Sequence, residues 1–275
     1  MSNPQIDELV ERIGDEILAR IGASGAAPTE QKPACGCDHA SEPAAAPSAS
    51  RTRGLDARLI GAVHHPAASA EQVEAFCAQA IRRKLSAVVV APRLLAAAVR
   101  VLGGSGVRAA STAGYPDGGT FASVKLAETE SALRLGAEEV ALVVSAGALK
   151  AGDLDSVFAE LRVAAKIAHD AGARLIAVVE TSLLSRQEKL GAAALAGLAG
   201  ADSVATGTGV FSHEAPSTED VRLLRTAVGE DAELIVGGGI ASLDQAAVLL
   251  AAGADRAAVD GSILGQPSRP GSGLG

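Results

Sequence analysis

Eight short apolar runs, rich in Val, Ile, Leu and Ala, alternate with longer helical stretches between residues 55 and 265. Each run is nearly continuous in its apolar character, which is typical of parallel strands buried on both faces. A repeated strand–helix unit predicts a parallel sheet covered by helices. The predicted strands are Arg58–Val63, Ala87–Ala91, Val107–Ala113, Glu139–Ser145, Arg174–Thr181, Ser203–Thr206, Glu233–Gly237 and Arg256–Val259.

The number of predicted strands favours a closed barrel over an open, doubly wound sheet. The chain has 275 residues, and a single (β/α)8 barrel typically has about 250. Aromatic residues make up only 2% of the chain and Trp is absent, so the core must consist mainly of Ala, Val, Leu and Ile. We therefore predict an α/β fold, with a single (β/α)8 TIM barrel over residues 55–265. Its helices are predicted at Glu71–Lys84, Phe121–Leu135, Leu154–Ala171, Arg186–Leu198, Ser217–Ala227 and Ser242–Ala252.

Residues 1–22 have the apolar spacing of an isolated amphipathic helix. Such a short helix is marginal in water unless a partner covers its apolar stripe. Residues 23–54 are rich in Ala, Pro, Ser and Gly, which predicts a flexible linker with a mean reach of about 30 Å. Residues 266–275 are predicted to form a flexible tail, which leaves the eighth helix of the barrel short or missing. The apolar stripe of the first helix consists of Ile6, Leu9, Val10, Ile13, Ile17 and Ile21.

Charge and hydropathy exclude several classes of partner. The formal net charge of -8 and the isoelectric point near 5.2 disfavour nucleic acid, because its phosphate backbone would be repelled. The chain contains no uncharged apolar run of roughly 18 residues, so we predict no membrane span. Acidic residues among the first apolar residues, such as Glu8 and Asp15, are atypical of a signal peptide. We therefore expect a cytoplasmic protein.

Cys35, Cys37 and His39 place two thiols and one imidazole close together in the predicted linker. A closed structural zinc site normally needs four ligands, and the chain has no second pair of cysteines. We predict no metal and no cofactor, and leave open a weak metal contact at this cluster. Cys77 lies in a predicted helix and is expected to be a buried small hydrophobe.

Functional residues of a (β/α)8 barrel lie at the carboxyl ends of its strands. Glycine turns follow the last three predicted strands, and backbone N–H groups in such turns can hold a phosphate or another small anion. Tight turning between strand and helix is the alternative reason for these glycines, and Asp260 would repel an anion. His64 and His65, after the first strand, could also contact a ligand. The candidate ligand-binding residues are Thr181, Thr206, Gly207, Thr208, Gly209, Gly238, Gly239 and Ser262.

Seven segments follow one another between Ser86 and Leu264, namely VVVAPRLL, ASTAGYPDG, GALKAGD, VVETSLL, TGTG, GGGI and VDGS. Together they resemble the deoxyribose-phosphate aldolase family of class I aldolases. The resemblance implies a TIM barrel. It also implies reversible retro-aldol cleavage of deoxyribose 5-phosphate to acetaldehyde and glyceraldehyde 3-phosphate through a lysine Schiff base.

Three positions at which the resemblance places catalytic residues carry aliphatic side chains. Ile176 stands in place of the Schiff-base lysine, Ala205 in place of the second lysine, and Ala141 in place of the proton-relay aspartate. The first strand has Ile60–Ala62 where the family has an Asp-His-Thr run. Because an imine needs a primary amine that is partly unprotonated, we predict no Schiff-base activity. The substitutions also predict that aliphatic side chains fill the catalytic cavity.

Two lysines are candidates for a relocated Schiff base. Lys150 follows the fourth predicted strand, and Lys125 lies at the start of a predicted helix, where a solvated lysine is the usual state. A relocated lysine would make the chain an active aldehyde-lyase. A third interpretation is a structural adaptor that binds no ligand.

The N-terminal helix and its linker resemble the encapsulation peptides that carry cargo into bacterial microcompartments. The resemblance implies that a shell protein or another cargo helix covers the apolar stripe, and that the protein lies in the lumen of a microcompartment. Acidic residues disfavour an interfacial membrane helix, and a plain oligomerisation helix, with the chain as a homo-oligomer, is the other interpretation. We predict a ligand-binding or structural cargo protein.

Overall fold

The computed structural model describes residues 54–229 and 231–264. Within them, eight parallel strands pair in chain order, and the last strand pairs with the first to close a barrel. The predicted (β/α)8 barrel is therefore confirmed. The strands are β1 (Leu59–Val63), β2 (Ala87–Val90), β3 (Arg108–Ala113), β4 (Glu139–Val143), β5 (Arg174–Val178), β6 (Ser203–Ala205), β7 (Glu233–Val236) and β8 (Arg256–Asp260).

Helices cover the outside of the barrel, and serine side chains cap the start of several of them. The side chains of Ser69 and Ser185 each accept a hydrogen bond from the backbone N–H three residues later. The side chain of that later residue, Gln72 or Glu188, accepts a hydrogen bond from the backbone N–H of the serine. These reciprocal bonds satisfy N–H groups that a helix start leaves free. The helices are α1 (Ala70–Arg83), α2 (Leu95–Leu102), α3 (Ala122–Arg134), α4 (Ala146–Ala151), α5 (Leu154–Asp170), α6 (Arg186–Leu198), α7 (Thr218–Val228), α8 (Leu243–Ala251) and α9 (Gly261–Leu264).

Each strand divides its side chains between two apolar cores. On β4, Val140 and Leu142 belong to the core between sheet and helices, whereas Ala141 and Val143 belong to the core inside the barrel. The two-residue period of a strand produces this division. Most inward side chains in the described barrel are Ala or Val, so its interior is lined by small apolar groups.

A network of charged side chains closes the amino-terminal end of the barrel, where the strands begin. Arg256 Nη1 lies 3.0 Å from both carboxylate oxygens of Glu139, and Arg256 Nη2 lies 2.9 Å from Glu233 Oε2. Arg108 Nε lies 2.9 Å from Glu139 Oε1. Glu139 is fully buried and Arg256 is nearly so, and buried charges are tolerated only when they are paired in this way. The charges at this end of the barrel are therefore paired with one another and away from the carboxyl ends of the strands, where sites of such barrels lie.

The predicted elements agree with the structure to within a few residues, and the differences have local causes. Both Ser145 and Thr181 were predicted at the ends of strands, but Ser145 caps α4 and Thr181 begins a 3-10 turn. Helices α2 and α4 were not proposed, because α2 carries apolar residues on most of its faces and α4 is short. Cys77 is fully buried in α1 as predicted, and burial raises its pKa to about 11.

None of the helices in the described ranges combines the length and apolarity that a membrane crossing requires. The predicted amphipathic helix, nearly all of the linker with Cys35, Cys37 and His39, and the tail lie outside the described residues. The domain boundaries proposed for these segments therefore stay predictions.

Candidate ligand-binding site

A cavity of about 330 Å³ opens at the carboxyl ends of the strands and extends inside the barrel to Glu139, the first residue of β4. Its walls are apolar. The side chains on these walls come from all eight strands and include Ile60, Ala62, Val89, Ala110, Ala141, Val143, Ile176, Val178, Ala205, Ile235 and Ala258. Small-molecule sites in barrels have this position and this mostly apolar lining.

The three substituted positions lie together on one wall of this cavity. Ala141 on β4 and Ile176 on β5 are register partners, and Ala205 on β6 is the register partner of Val178 on β5. All three are buried and all three line the cavity. None of them offers an amine, an acid or a base to a bound molecule.

The prediction that aliphatic side chains fill the catalytic cavity is wrong. Two of the three substitutions are to alanine, whose side chain ends at Cβ and is shorter than lysine or aspartate. Ala141 and Ala205, together with Ala62, Ala110 and Ala258, leave the interior open. The wall formed by these three positions carries no charged group, and the cavity has a volume of about 330 Å³.

The two lysines considered as substitutes do not line the cavity. Lys125 is buried, and its Nζ lies 2.7 Å from Glu160 Oε2 and 3.2 Å from the Val143 carbonyl oxygen. Lys150 lies on α4 with its side chain 51% exposed, and its Nζ is 3.2 Å from Glu188 Oε2. Lys125 therefore has a structural ion pair, and Lys150 has a surface one.

Polar side chains form a rim where the cavity opens. The rings of His64 and Tyr115 stack with centroids 5.0 Å apart and an interplanar angle of 17°. Burial lowers the pKa of His64 to about 4, against the opposing field of Asp260, so the imidazole is neutral at pH 7. Burial also raises the pKa of Tyr115, with Glu180 acting in the same direction, so the phenol keeps its proton.

His64 and His65 line the cavity, where the sequence suggested ligand contacts. Thr112 and Tyr115 also line it, and both were missed. Thr112 shares the inward face of β3 with Ala110, and this strand parity could have identified it. Tyr115 lies beyond the end of β3, and its contact with His64 is between distant parts of the chain, so no local signal marked it.

The candidate ligand-binding residues separate into three places. Thr181 and Thr206 line an adjoining polar pocket of about 220 Å³, together with Lys189, whose Nζ lies 2.8 Å from Asp220 Oδ1. Ser262 lines a third pocket beside α1. The remaining candidates line the barrel cavity, and they are Gly207, Thr208, Gly209, Gly238 and Gly239.

Carboxylates of the chain already occupy donors in two of the glycine turns. Glu180 Oε2 accepts bonds from Thr208 N at 2.8 Å and from Thr208 Oγ1 at 2.7 Å. Asp260 Oδ1 accepts from Ser262 N at 2.9 Å and from Ser262 Oγ at 2.6 Å. These two N–H groups are therefore not available to a bound anion.

Close packing explains some of the glycines without a ligand. A Cβ on Gly207 would lie 2.7 Å from Glu180 Oε1, and a Cβ on Gly239 would lie 2.3 Å from the Glu214 carbonyl carbon. Gly238 and Gly209 have positive φ angles and pack against each other. These contacts support the interpretation of tight turning, and anion binding stays a prediction.

The fold and the cavity define the class to which this protein belongs. It is a (β/α)8 barrel with a small-molecule site at the carboxyl ends of its strands. The model of the DeoC/LacD family of aldolases matches residues 57–267, and the chain belongs to this family. The resemblance inferred from the seven segments is thereby confirmed.

Curated relatives share the barrel at substantial identity. The deoxyribose-phosphate aldolase of Aciduliprofundum boonei is 37% identical over 196 residues, which cover 71% of this chain and 88% of the relative. The deoxyribose-phosphate aldolase of Thermococcus gammatolerans is 39% identical over 193 residues, which cover 70% and 85%.

Solved structures agree with this assignment. A structure described as QR15, an aldolase, is 28% identical with a TM-score of 0.71, and the match covers 76% of this chain and 92% of that one. The deoxyribose phosphate aldolase of Aeropyrum pernix, described as a unique tetramer, is 26% identical with a TM-score of 0.70 and coverages of 76% and 89%.

Proposed function

We propose that this member of the DeoC/LacD family lacks lysine imine chemistry and binds a small molecule in its barrel cavity. The observation that carries the proposal is the wall formed by β4, β5 and β6, where Ala141, Ile176 and Ala205 line the cavity. Among the described residues that line the cavity, none is a lysine. A carbonyl compound bound there meets no amine that could form an imine.

The alternative is an active aldehyde-lyase with a relocated lysine. The contacts of Lys125 and Lys150 give this alternative little support, since each lysine is paired with a carboxylate away from the cavity. Lys189 lines the adjoining polar pocket, but its amine is held by Asp220. A protonated lysine in an ion pair is a poor nucleophile, because the pairing favours the charged form.

Trapping with borohydride tests the loss of imine chemistry. The full chain is incubated with acetaldehyde and sodium borohydride, and its intact mass is measured beside that of the Thermococcus gammatolerans relative as a positive control. We expect no reduced two-carbon adduct on this chain and no cleavage of deoxyribose 5-phosphate. An adduct that peptide mapping places on one lysine, and that is lost when this lysine is replaced by Met, would overturn the proposal.

We further propose that the barrel is a cargo protein of a bacterial microcompartment. The support is the apolar stripe of residues 1–22 and the linker that follows, both of which lie outside the described residues. A shell protein or another cargo helix is the proposed partner, and the lumen is the proposed location. A homo-oligomer is compatible with this role, and the related Aeropyrum pernix protein is described as tetrameric.

Ligand binding distinguishes the binding protein from a structural adaptor. The open cavity supports the binding protein, because an empty apolar volume of about 330 Å³ costs stability. A barrel that served only as a spacer would be more stable with larger side chains in this volume. An adaptor would bind no compound in a screen by thermal shift. The phosphorylated or anionic ligand predicted from the glycine turns belongs in the same screen.

A further inference from the structure

We infer that the barrel cavity is selective for a small aliphatic ammonium compound, in preference to the phosphorylated substrates that the relatives' name implies. The inference deepens the proposed function and rests on its claim that the cavity binds a ligand. It starts from the charged side chains that line the cavity, which are carboxylates.

The described lining residues include no Lys and no Arg, but they include the carboxylates of Glu139 and Asp260. Glu139, at the inner end, is neutralised by Arg256 and Arg108. Asp260, at the rim, is exposed and accepts only from the uncharged Ser262 in the described part of the chain. The field at the opening is therefore negative, and it favours a cation.

Two polar groups at the cavity have no hydrogen-bond partner among the described residues, and both can accept from an ammonium group. The Thr112 side chain belongs to a residue that is 5% exposed, and it lines the cavity without a hydrogen bond. The neutral imidazole of His64 likewise has none. An ammonium group has three donors, and its charge is also favoured near the faces of the stacked His64 and Tyr115 rings.

The chamber below the rim suits an aliphatic chain. Its walls are the side chains of residues such as Ile60, Val89, Val143, Ile176 and Ile235, with alanines between them. An apolar cavity of about 150 Å³ holds a benzene molecule, so a cavity of about 330 Å³ has room for a chain of roughly six carbon atoms. Burial of that chain supplies affinity, and the rim supplies selectivity for the charge.

A phosphate ester would meet the opposite conditions. Glu180 and Asp260 already accept from the N–H and hydroxyl groups of two of the glycine turns. A phosphate at these turns would lie beside both carboxylates, and Lys189 in the adjoining pocket is already paired with Asp220. The N–H groups of Thr208 and Ser262 are therefore already bound by carboxylates of the chain and are not available to an anion.

A matched series of probes tests the inference. Hexylammonium, hexanol, hexanoate and inorganic phosphate are titrated by calorimetry at pH 7 into the full chain, into Asp260→Asn and into Asp170→Asn. Asp260→Asn keeps an oxygen that can accept from Ser262 and removes only the charge. Asp170→Asn removes one charge from the exposed end of α5, where Asp170 pairs with Lys166, and controls for net charge.

We expect hexylammonium to bind at least about threefold more tightly than hexanol, since a partly exposed ion pair has a small but measurable effect. Asp260→Asn should remove this preference, and Asp170→Asn should retain it. Equal binding of hexylammonium and hexanol, tighter binding of hexanoate or phosphate, or a preference that survives Asp260→Asn would each overturn the inference while leaving a ligand-binding cavity in place. Failure of all four probes to bind would instead overturn the proposed function on which the inference rests.

Discussion

Replacement of Lys125 by Met tests whether this lysine stabilises the fold or takes part in chemistry. Its Nζ lies 2.7 Å from Glu160 Oε2, and both residues are buried, at 1% and 8% exposure. Lys125→Met keeps the aliphatic stem and leaves the Glu160 carboxylate without its partner. Breaking one side of a buried ion pair costs about 3 to 5 kcal/mol of unfolding free energy. For a domain of this size the melting temperature should then fall by about 6 to 20 °C.

The double variant Lys125→Met/Glu160→Leu separates the loss of the pair from the burial of an unpaired charge. It should recover most of the lost stability, because apolar pairs often replace buried ion pairs at little cost. Urea denaturation of the four proteins of this cycle gives the interaction free energy between the two side chains. Binding in the barrel cavity should not change, since neither residue lines it.

The pH dependence provides an independent check. Burial raises the pKa of Glu160, and the ion pair with Lys125 partly opposes this effect. In Lys125→Met only the raising cause remains, so protonation relieves the unpaired carboxylate at a higher pH than in the natural chain. The loss of unfolding free energy in Lys125→Met should be largest at pH 8, and it should become smaller as the pH falls through the raised pKa of Glu160. A loss below about 1 kcal/mol, or a double variant no more stable than Lys125→Met, would refute the structural role.

Two further predictions concern the rim and the N-terminal segment. The pKa of His64 is about 4, against 6.5 for an ordinary histidine, so its contribution to the free energy of unfolding should be fully present above pH 6.5. This contribution should be lost as the pH falls from 6.5 towards 4, because the unfolded chain then binds the proton more readily than the folded one. An imidazole NMR titration of His64 with a midpoint near 6.5 would contradict this prediction. Residues 1–54 fused to a fluorescent protein should enter a coexpressed cognate shell, and Ile13→Asp with Ile17→Asp should abolish entry. If a barrel that begins at Leu55 were recruited to the shell as well, the apolar stripe would not be the targeting signal.

Local patterns in the sequence were sufficient for the fold. The near-continuous apolar runs and the helical periods between them located all eight strands to within a few residues, since backbone structure follows short-range periodicity. The same patterns placed Ala141, Ile176 and Ala205 on adjacent strands of the barrel. The family resemblance identified these three positions as substituted, and order along the chain determines which strands are neighbours in a barrel of this topology. The two together predicted one wall without charged groups before any coordinates.

The open volume of the cavity and the partners of its polar groups could be known only from the tertiary structure. The expectation of a filled cavity failed because empty volume depends on side chains from strands across the barrel, which no single segment reveals. The bond from Thr208 to Glu180 joins residues 28 positions apart, and the bond from Lys125 to Glu160 joins residues 35 positions apart. Such contacts form when the barrel closes, and they determine which donors, amines and carboxylates remain available to a ligand.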